Sequence, residues 1–185
     1  MGVRTVFYAF FFFLLCMRVG ELLLAKRNER IVKAMGAKEF GQAHYRWIVL
    51  LHVAFLFSFF LEALMKGATL SSWWPFLLPL FFAVQLLRIW ALFSLGVFWN
   101  TKIFVVPNVI VQKGPYRFLR HPNYVVVVLE IVLIPLLFRA YITAIVFSLL
   151  NAYLLSIRIS AEEQALATMT NYNEIQKRPR FFPAK

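Results

Sequence analysis

Long apolar runs separated by short polar segments dominate the chain. Three of them, at 4 to 25, 46 to 65 and 73 to 96, reach the length of about 20 residues that a helix needs to cross a bilayer. Such runs are typical of transmembrane helices, because a helix satisfies every backbone polar group within itself. The pattern therefore predicts three membrane spans in the first half of the chain.

Two shorter apolar runs follow, at about 123 to 138 and 140 to 157. Arg139 divides them, and Pro135 is a signal that ends a helix. We expect these runs to form a tight helical hairpin. The predicted fold is therefore an all-α integral membrane protein with about five transmembrane helices.

The composition agrees with this pattern. The sequence is 62% hydrophobic, with a mean hydropathy of +0.72, whereas an average soluble domain is roughly 45–50% apolar. The length of 185 residues and the short predicted connections suit a single domain over residues 1–185, with the first three spans in 1–96.

The net charge of +12 is distributed unevenly, and it favours an anionic membrane surface over nucleic acid as a partner. Cytoplasmic loops are enriched in Lys and Arg, which predicts an external N-terminus and a cytoplasmic C-terminus. Fifteen of the 20 basic residues fall on the predicted cytoplasmic side: Lys26, Arg27, Arg30, Lys33, Lys38, Arg46, Lys102, Lys113, Arg117, Arg120, Arg158, Lys177, Arg178, Arg180 and Lys185.

Several kinds of site are excluded by residue content. Cys16 is the only cysteine and the chain contains no aspartate, so a disulfide framework, a cysteine-based zinc site and aspartate catalysis are all ruled out. His44 and His52 lack the spacing of metal ligands, and we interpret them as interfacial or packed histidines. No metal is expected.

A cation-rich turn, "RFLRHPNY", comes directly before the fourth predicted span. One interpretation is structural: a basic juxtamembrane turn with Pro122 in the first turn of a helix. The alternative is a binding site in which Arg117, Arg120 and His121 hold a carboxylate and aromatic rings face a cation. The segment alone does not decide between them.

A second polar segment, "RISAEEQAL", follows the fifth predicted span. Ser160 and Glu163 fit the S-x-x-E capping box that begins many helices, with Glu162 a solvated residue. In the alternative interpretation the two glutamates accept hydrogen bonds from ribose hydroxyls or face a cationic ligand. Both polar segments lie on the predicted cytoplasmic side, so they can meet.

Five charged residues fall within the predicted spans or near their ends, where charge is costly in lipid. Arg18 and Glu21 are three residues apart on one helix face and can pair. Glu62 lies near a span end. Glu130, like Arg88, is expected to face the bundle interior or an interface, and Glu130 is the best candidate for the wall of a pocket.

Together, "GPYRFLRHPNY" and "RISAEEQAL" resemble the isoprenylcysteine carboxyl methyltransferase family of membrane enzymes, which use S-adenosylmethionine. The resemblance extends through "NTKIFVVPNVIVQKGPYR" and "NYNEIQKRPRFFP" and covers the C-terminal half of the chain. The N-terminal spans match only in hydropathy and in features such as "RVGELLLAKRNER". The chain is most similar to short bacterial members, including those that O-methylate alkylpyrones.

The resemblance implies a cytoplasmic cofactor pocket, formed within residues 97–185 by the loop before the fourth span and the C-terminal helix. It implies that S-adenosylmethionine is bound there, and Glu130 and Arg158 are assigned to the acceptor pocket. One departure from the family pattern is Val126, where many members have glycine. The residues implied to bind the cofactor are Gly114, Pro115, Tyr116, Arg120, His121, Pro122, Tyr124, Glu162 and Glu163.

We therefore expect an O-methyltransferase of the bacterial plasma membrane that acts on a lipophilic acceptor. The acceptor oxygen belongs either to the carboxylate of a prenylated cysteine or to the acidic hydroxyl of an alkylpyrone. Two alternatives remain open: a membrane reductase that uses a nicotinamide cofactor, and a transporter or scaffold without enzymatic activity. The catalytic residues and the oligomeric state are not indicated by the sequence.

Overall fold

A computed structural model describes residues 2–170 of the chain. Most of this part is helical, and the trailing motif "NYNEIQKRPRFFP" lies outside it. The five helices are α1 (Val3–Ala34), α2 (Gln42–Met65), α3 (Trp74–Leu95), α4 (Pro122–Leu137) and α5 (Tyr141–Met169).

Four of the helices, α1, α2, α3 and α5, are long and apolar enough to cross a membrane. The remaining helix, α4, has 16 residues and is therefore about 24 Å long. It is shorter than the roughly 30 Å hydrocarbon core of a bilayer. It contains Pro135 and ends two residues later. The predicted helical hairpin is present, because α4 turns into α5 through residues 138–140.

The structure also contains a small sheet that the all-α prediction did not include. Strands β1 (Lys38–Phe40) and β2 (Ile103–Val105) pair antiparallel, with Glu39 opposite Phe104. Each strand has three residues, which is too short for an alternating pattern to be recognised. The sheet joins the α1–α2 connection to the loop that leads towards α4.

An aromatic cluster holds one end of the bundle together. The ring of Phe7 in α1 lies 5.7 Å from that of Phe59 in α2 and 5.1 Å from that of Phe138 after α4, and all three side chains are at most 1% exposed. Edge-to-face ring pairs contribute about 0.5–1.5 kcal/mol beyond the area they bury. The cluster therefore fixes α1 against the hairpin at this end.

Glu62 caps a helix at the same end of the bundle. Its carboxylate accepts hydrogen bonds from the backbone N–H groups of Ile142 (3.0 Å) and Thr143 (2.7 Å), so it satisfies two of the unpaired donors at the start of α5. The predicted location near a span end is confirmed.

At the opposite end, α1 holds the turn that follows α3. The amide of Asn28, only 2% exposed, donates to the carbonyls of Gly96 (3.1 Å) and Trp99 (2.8 Å). Asn100 returns a bond to the carbonyl of Ala25 at 2.9 Å. These contacts fix the backbone of residues 96–100 where it enters the candidate site.

Candidate functional site

The two polar segments of the sequence meet at this end of the bundle. Glu163 in α5 accepts hydrogen bonds from Arg120 Nη1 at 2.9 Å and shares its Oε1 with His121 Nε2 at 3.1 Å. The other ring nitrogen of His121 lies 3.9 Å from a carboxylate oxygen of Glu162. The His121 side chain is 3% exposed, so the imidazole is held between the two glutamates.

Tyr124 links these glutamates to a buried cation. Its hydroxyl donates to Glu162 and accepts from Arg158 Nε at 2.8 Å, while Arg158 Nη2 donates to the carbonyl of Thr101 at 2.7 Å. Arg158 is 7% exposed. Within residues 2–170 it makes no direct ion pair, and the carboxylate of Glu162 lies on the far side of the Tyr124 hydroxyl.

A polar cavity of about 160 Å³ opens between the 95–121 segment and the last turns of α5. Five of the nine residues assigned to the cofactor line it, together with Arg158 and the apolar side chains of residues 104–111. The five are Tyr116, Arg120, His121, Tyr124 and Glu162.

The other four assigned residues, Gly114, Pro115, Pro122 and Glu163, do not line the cavity. Gly114 has a φ of +55°, and a Cβ there would lie 1.9 Å from Ser94 Oγ, so it allows a close approach to α3. Pro122 is the first residue of α4. Glu163 accepts hydrogen bonds from two residues of the cavity wall, Arg120 and His121, and so helps to fix their positions.

Two further residues of the sequence interpretation lie outside the polar cavity. Arg117 is exposed and is not in the cavity wall, so its interpretation as part of the carboxylate site finds no support in the geometry. Val126 is fully buried against Val84 and Leu133 and is likewise absent from the described walls. Its departure from the family pattern therefore affects the packing of α3 on α4.

The capping-box interpretation of Ser160 and Glu163 is wrong. Both residues lie inside α5, which continues without interruption from Tyr141 to Met169. Ser160 Oγ donates to the carbonyl of Ser156 at 3.0 Å, one turn earlier in the same helix, so it is not available as a cap. The glutamates therefore lie within a continuous helix and not at its start.

A second, apolar cavity of about 250 Å³ lies within the bundle. Its walls come from all five helices and include Ile48, Val127, Ile131 and Leu155, as well as Glu130, which was predicted to line a pocket. Ligand cavities of this kind are mostly apolar with a few placed polar groups. The apolar cavity therefore suits a lipophilic molecule.

The two cavities share one wall, in which each contributing side chain touches both spaces. The shared wall contains an indole, two amides, a phenol and a guanidinium: Trp99, Asn100, Asn123, Tyr124 and Arg158. Asn123 Oδ1 is buried in this wall and has no hydrogen-bond partner within residues 2–170. A ligand in either cavity can therefore reach the same polar groups.

A buried charge network lines the interior of the apolar cavity. Arg18 donates to Glu21 at 2.8 Å, as expected from their spacing, and to Glu130 at 2.7 Å. Arg88 bonds both carboxylates, and Gln85 donates to Glu130 at 2.8 Å. The two positive charges of the guanidinium groups equal the two negative charges of the carboxylates, which limits the free-energy cost of burying the four groups.

The shared wall contains residues that sequence reasoning missed as site residues. Asn100 is the first residue of a motif that carried the family resemblance, Trp99 directly precedes it, and Asn123 stands inside "RHPNY", but none was assigned to the site. A signal was available in principle, because Asn123 and Glu130 are seven residues apart and so lie on one face of α4. Trp99 depends on a turn held by Asn28, which no local pattern reveals.

Comparisons with known proteins identify the family of the chain. The sequence profile of the isoprenylcysteine carboxyl methyltransferase (ICMT) family matches residues 77–168, a region that includes the shared wall and both glutamates. An uncharacterised protein of Bacillus subtilis, YpbQ, is 49% identical over 162 residues, which cover 87% of this chain and 96% of that protein. An uncharacterised protein of Haemophilus influenzae is 28% identical over 157 residues, which cover 83% and 91% of the two chains.

Proposed function

Because the chain belongs to the isoprenylcysteine carboxyl methyltransferase family, we propose that it transfers a methyl group from S-adenosylmethionine to an oxygen atom of a lipophilic acceptor. The family and the four long apolar helices make it a multi-pass membrane protein of methyltransferase type.

The wall shared by the two cavities carries the proposal. Methyl transfer is an in-line displacement, so donor and acceptor must approach each other in alignment within a site that excludes water. A polar cavity beside an apolar one offers separate binding for a water-soluble cofactor and a lipid-soluble acceptor. Tyr124 and Arg158 touch both spaces, and the reacting atoms would therefore meet beside them.

The polar cavity fits the chemistry of S-adenosylmethionine. Arg120 Nε and Trp99 Nε1 are buried hydrogen-bond donors that have no partner within residues 2–170. Asn123 Oδ1 is a buried acceptor that likewise has no partner there. Arg120 matches the cofactor carboxylate, Glu162 matches ribose hydroxyls, and the rings of Tyr116 and Tyr124 suit a sulfonium. When bound, the cofactor supplies an electrophilic methyl group.

Tyr116 acts in this site as a neutral phenol. Burial raises its pKa well above the usual value of about 10. The ring therefore presents an aromatic face and a polar hydroxyl without carrying negative charge.

His121 is held between Glu162 and Glu163, which fixes the imidazole at the start of α4.

Arg158 is the residue best suited to bind the acceptor oxygen. It is a buried guanidinium in the shared wall and makes no direct ion pair within residues 2–170, because the Tyr124 hydroxyl lies between it and Glu162. It can therefore pair directly with an anionic oxygen. Both candidate acceptors, the carboxylate of a prenylated cysteine and the acidic hydroxyl of an alkylpyrone, provide such an oxygen. The apolar cavity would receive the lipophilic part of either.

We also propose five membrane spans, of which the short helix α4 is the fourth, with the shared wall at the cytoplasmic face. The charge asymmetry of the sequence supports this orientation, and so does the need for a soluble cofactor to enter at this end. The N-terminus would then be external and the C-terminus cytoplasmic, in a bacterial plasma membrane.

Titration calorimetry on the detergent-purified full chain tests the proposal, with S-adenosylmethionine and NADPH as separate ligands. We expect saturable binding of S-adenosylmethionine that weakens in Arg120→Gln, with Arg117→Gln as the matched control. Binding of NADPH instead would favour the reductase. Binding of neither would favour a transporter or scaffold and overturn the proposed function.

A further inference from the structure

Three helices carry polar residues in pairs on the wall of the apolar cavity. The pairs are Tyr45 and His52 in α2, Asn123 and Glu130 in α4, and Asn151 and Arg158 in α5. Members of each pair are seven residues apart, so they lie on one helix face and about 10 Å apart along its axis. The cavity wall therefore has two polar levels.

The outer level belongs to the shared wall. Arg158 donates to the carbonyl of Thr101, and Tyr45 hydrogen-bonds the hydroxyl of the same residue at 3.2 Å. Asn123 lines both cavities at this level. Between the two levels the wall is apolar, with Ile48, Val127 and Leu155 as representative residues.

The inner level has hydrogen-bonding capacity that the protein does not use. Asn151 is only 5% exposed and lines the cavity, and its side-chain amide makes no hydrogen bond within residues 2–170. His52 pairs its Nδ1 with the carbonyl of Ile48 at 2.8 Å. Nδ1 must then carry the proton, which leaves Nε2 of the neutral ring as a free acceptor.

The buried network of Arg18, Arg88, Glu21 and Glu130 does not occupy the hydrogen-bonding groups of Asn151 and His52. Arg18 and Arg88 are directed to Glu21 and Glu130, so both carboxylates are occupied and the four charges cancel. Asn151 and His52 are therefore the neutral groups of the inner level that remain open to a ligand. Together they both donate and accept hydrogen bonds.

The cavity opens towards the bilayer near the inner level. Leu22 in α1 and Val49 and Val53 in α2 line the cavity and are also 42–60% exposed. Val49 and Val53 flank His52 in the sequence. A chain that enters from the membrane between α1 and α2 therefore passes the inner level before it reaches the shared wall.

We propose that the acceptor is an amphiphile with a second polar group, a hydroxyl, carbonyl or amide, about 10 Å from the oxygen that receives the methyl group, and that Asn151 and His52 bind this group. The proposal rests on the proposed function and adds to it a requirement that an unsubstituted farnesyl or alkyl chain does not meet. The spacing corresponds to about nine bonds of an extended chain, at roughly 3.5 Å per three bonds.

Positional isomers of one fatty acid test the spacing directly. The probes are hexadecanoic acid and three hydroxyhexadecanoic acids, which are positional isomers with one hydroxyl on the third, ninth or fifteenth carbon. The measurement is displacement of radiolabelled hexadecanoic acid from the full chain in lipid nanodiscs, corrected with empty nanodiscs. The ninth-carbon isomer should displace the label at a concentration about tenfold lower than the other probes, as expected for one or two hydrogen bonds in a buried site.

Variants locate the preference within the cavity. Asn151→Leu and His52→Phe should each reduce the advantage of the ninth-carbon isomer while retaining affinity for unsubstituted hexadecanoic acid. Leu149→Ala serves as the matched control, because Leu149 lies on the same helix and is 69% exposed. If a variant does not fold, the comparison of isomers on the unmodified chain still decides the question.

The outcomes separate this inference from the proposed function. Equal displacement by all three isomers would overturn the inference, even if methyl transfer from S-adenosylmethionine to these acids is observed. A clear preference for the ninth carbon without S-adenosylmethionine binding would retain the inner polar level and reject the methyltransferase assignment. A preference that survives both Asn151→Leu and His52→Phe would also overturn the inference.

Discussion

Arg158 donates a hydrogen bond from Nε to the hydroxyl of Tyr124 at 2.8 Å, which joins α5 to α4 at the wall shared by the two cavities. The same guanidinium reaches the carbonyl of Thr101 through Nη2. Two separate donors of one planar group thus fix the wall, and the remaining donor capacity can face an acceptor oxygen.

Arg158→Lys should therefore lower the rate of methyl transfer by about 10- to 100-fold, the loss expected for a charge-assisted hydrogen bond of 1.5–3 kcal/mol. An ammonium is a point charge and cannot reproduce the fork of donors. Affinity for S-adenosylmethionine should change less than the rate. Arg117→Lys, at an exposed position outside the cavity, should leave both quantities unchanged, and an equal loss in both variants would refute the role of Arg158.

Tyr124→Phe tests the link between the glutamates and the buried cation. The change leaves Glu162 without one donor and Arg158 Nε without its acceptor, which costs about 1–3 kcal/mol. Calorimetry should therefore show S-adenosylmethionine affinity falling by about tenfold. Tyr153→Phe is the control, since Tyr153 is 67% exposed on α5. Unchanged affinity in Tyr124→Phe would mean that the hydroxyl serves helix packing alone.

The sequence predicted the helices and the meeting of the two polar segments, because hydropathy and charge asymmetry are long, redundant signals. Shorter signals were less informative. Strand β1 pairs with residues more than sixty positions away, and three residues contain no recognisable period. The S-x-x-E pattern at Ser160 also occurs within uninterrupted helix, where it caps nothing.

Contacts between side chains on different helices were the other feature that the sequence did not predict. The spacing of Arg18 and Glu21 predicted their contact, whereas the bond from Arg18 to Glu130 crosses 112 positions of the chain and depends on how α1 packs against α4. The same holds for Trp99, which lies in the shared wall because Asn28 holds its backbone carbonyl. Such contacts are set by tertiary packing and not by local pattern.

The membrane orientation gives a third prediction. Lys113 should be cytoplasmic and Lys66 external, because the predicted cytoplasmic side holds most of the basic residues. Single cysteines introduced at the two positions in a Cys16→Ser background should react from opposite sides of the membrane with an impermeant thiol reagent. Labelling of both from the same side would contradict the five-span topology.

The charge network gives a fourth prediction. Glu130→Gln removes one carboxylate from contact with Arg18 and Arg88, and breaking a buried ion pair costs about 3–5 kcal/mol. We expect Tm in detergent to fall by about 10 °C for a chain of this size. Glu39→Gln is the control, because Glu39 pairs with Lys102 at 3.5 Å in a partly exposed position outside the helices, and exposed pairs contribute about 0–1 kcal/mol. Similar Tm values for the two variants would indicate that the network is not structural.

The last prediction concerns the proton of the acceptor. Within residues 2–170, the shared wall consists of an indole, two amides, a phenol and a guanidinium, none of which is a strong base at neutral pH. His121 is engaged by Glu163, and His52 lies two helical turns deeper. The acceptor must therefore arrive already ionised, as a carboxylate or an acidic enol does.

Methyl transfer should accordingly rise with pH only until the acceptor itself is ionised. For a farnesylcysteine analogue, whose carboxyl has an ordinary pKa of about 4, the rate should be flat from about pH 6 upward, and for an alkylpyrone it should level off above the pKa of its hydroxyl. Phosphatidylethanolamine and a long-chain alcohol should be poor acceptors, because removal of their proton needs a base that the wall lacks. Assays with labelled S-adenosylmethionine measure all four, and faster methylation of the amine or the alcohol would refute this mechanism while retaining the cofactor assignment.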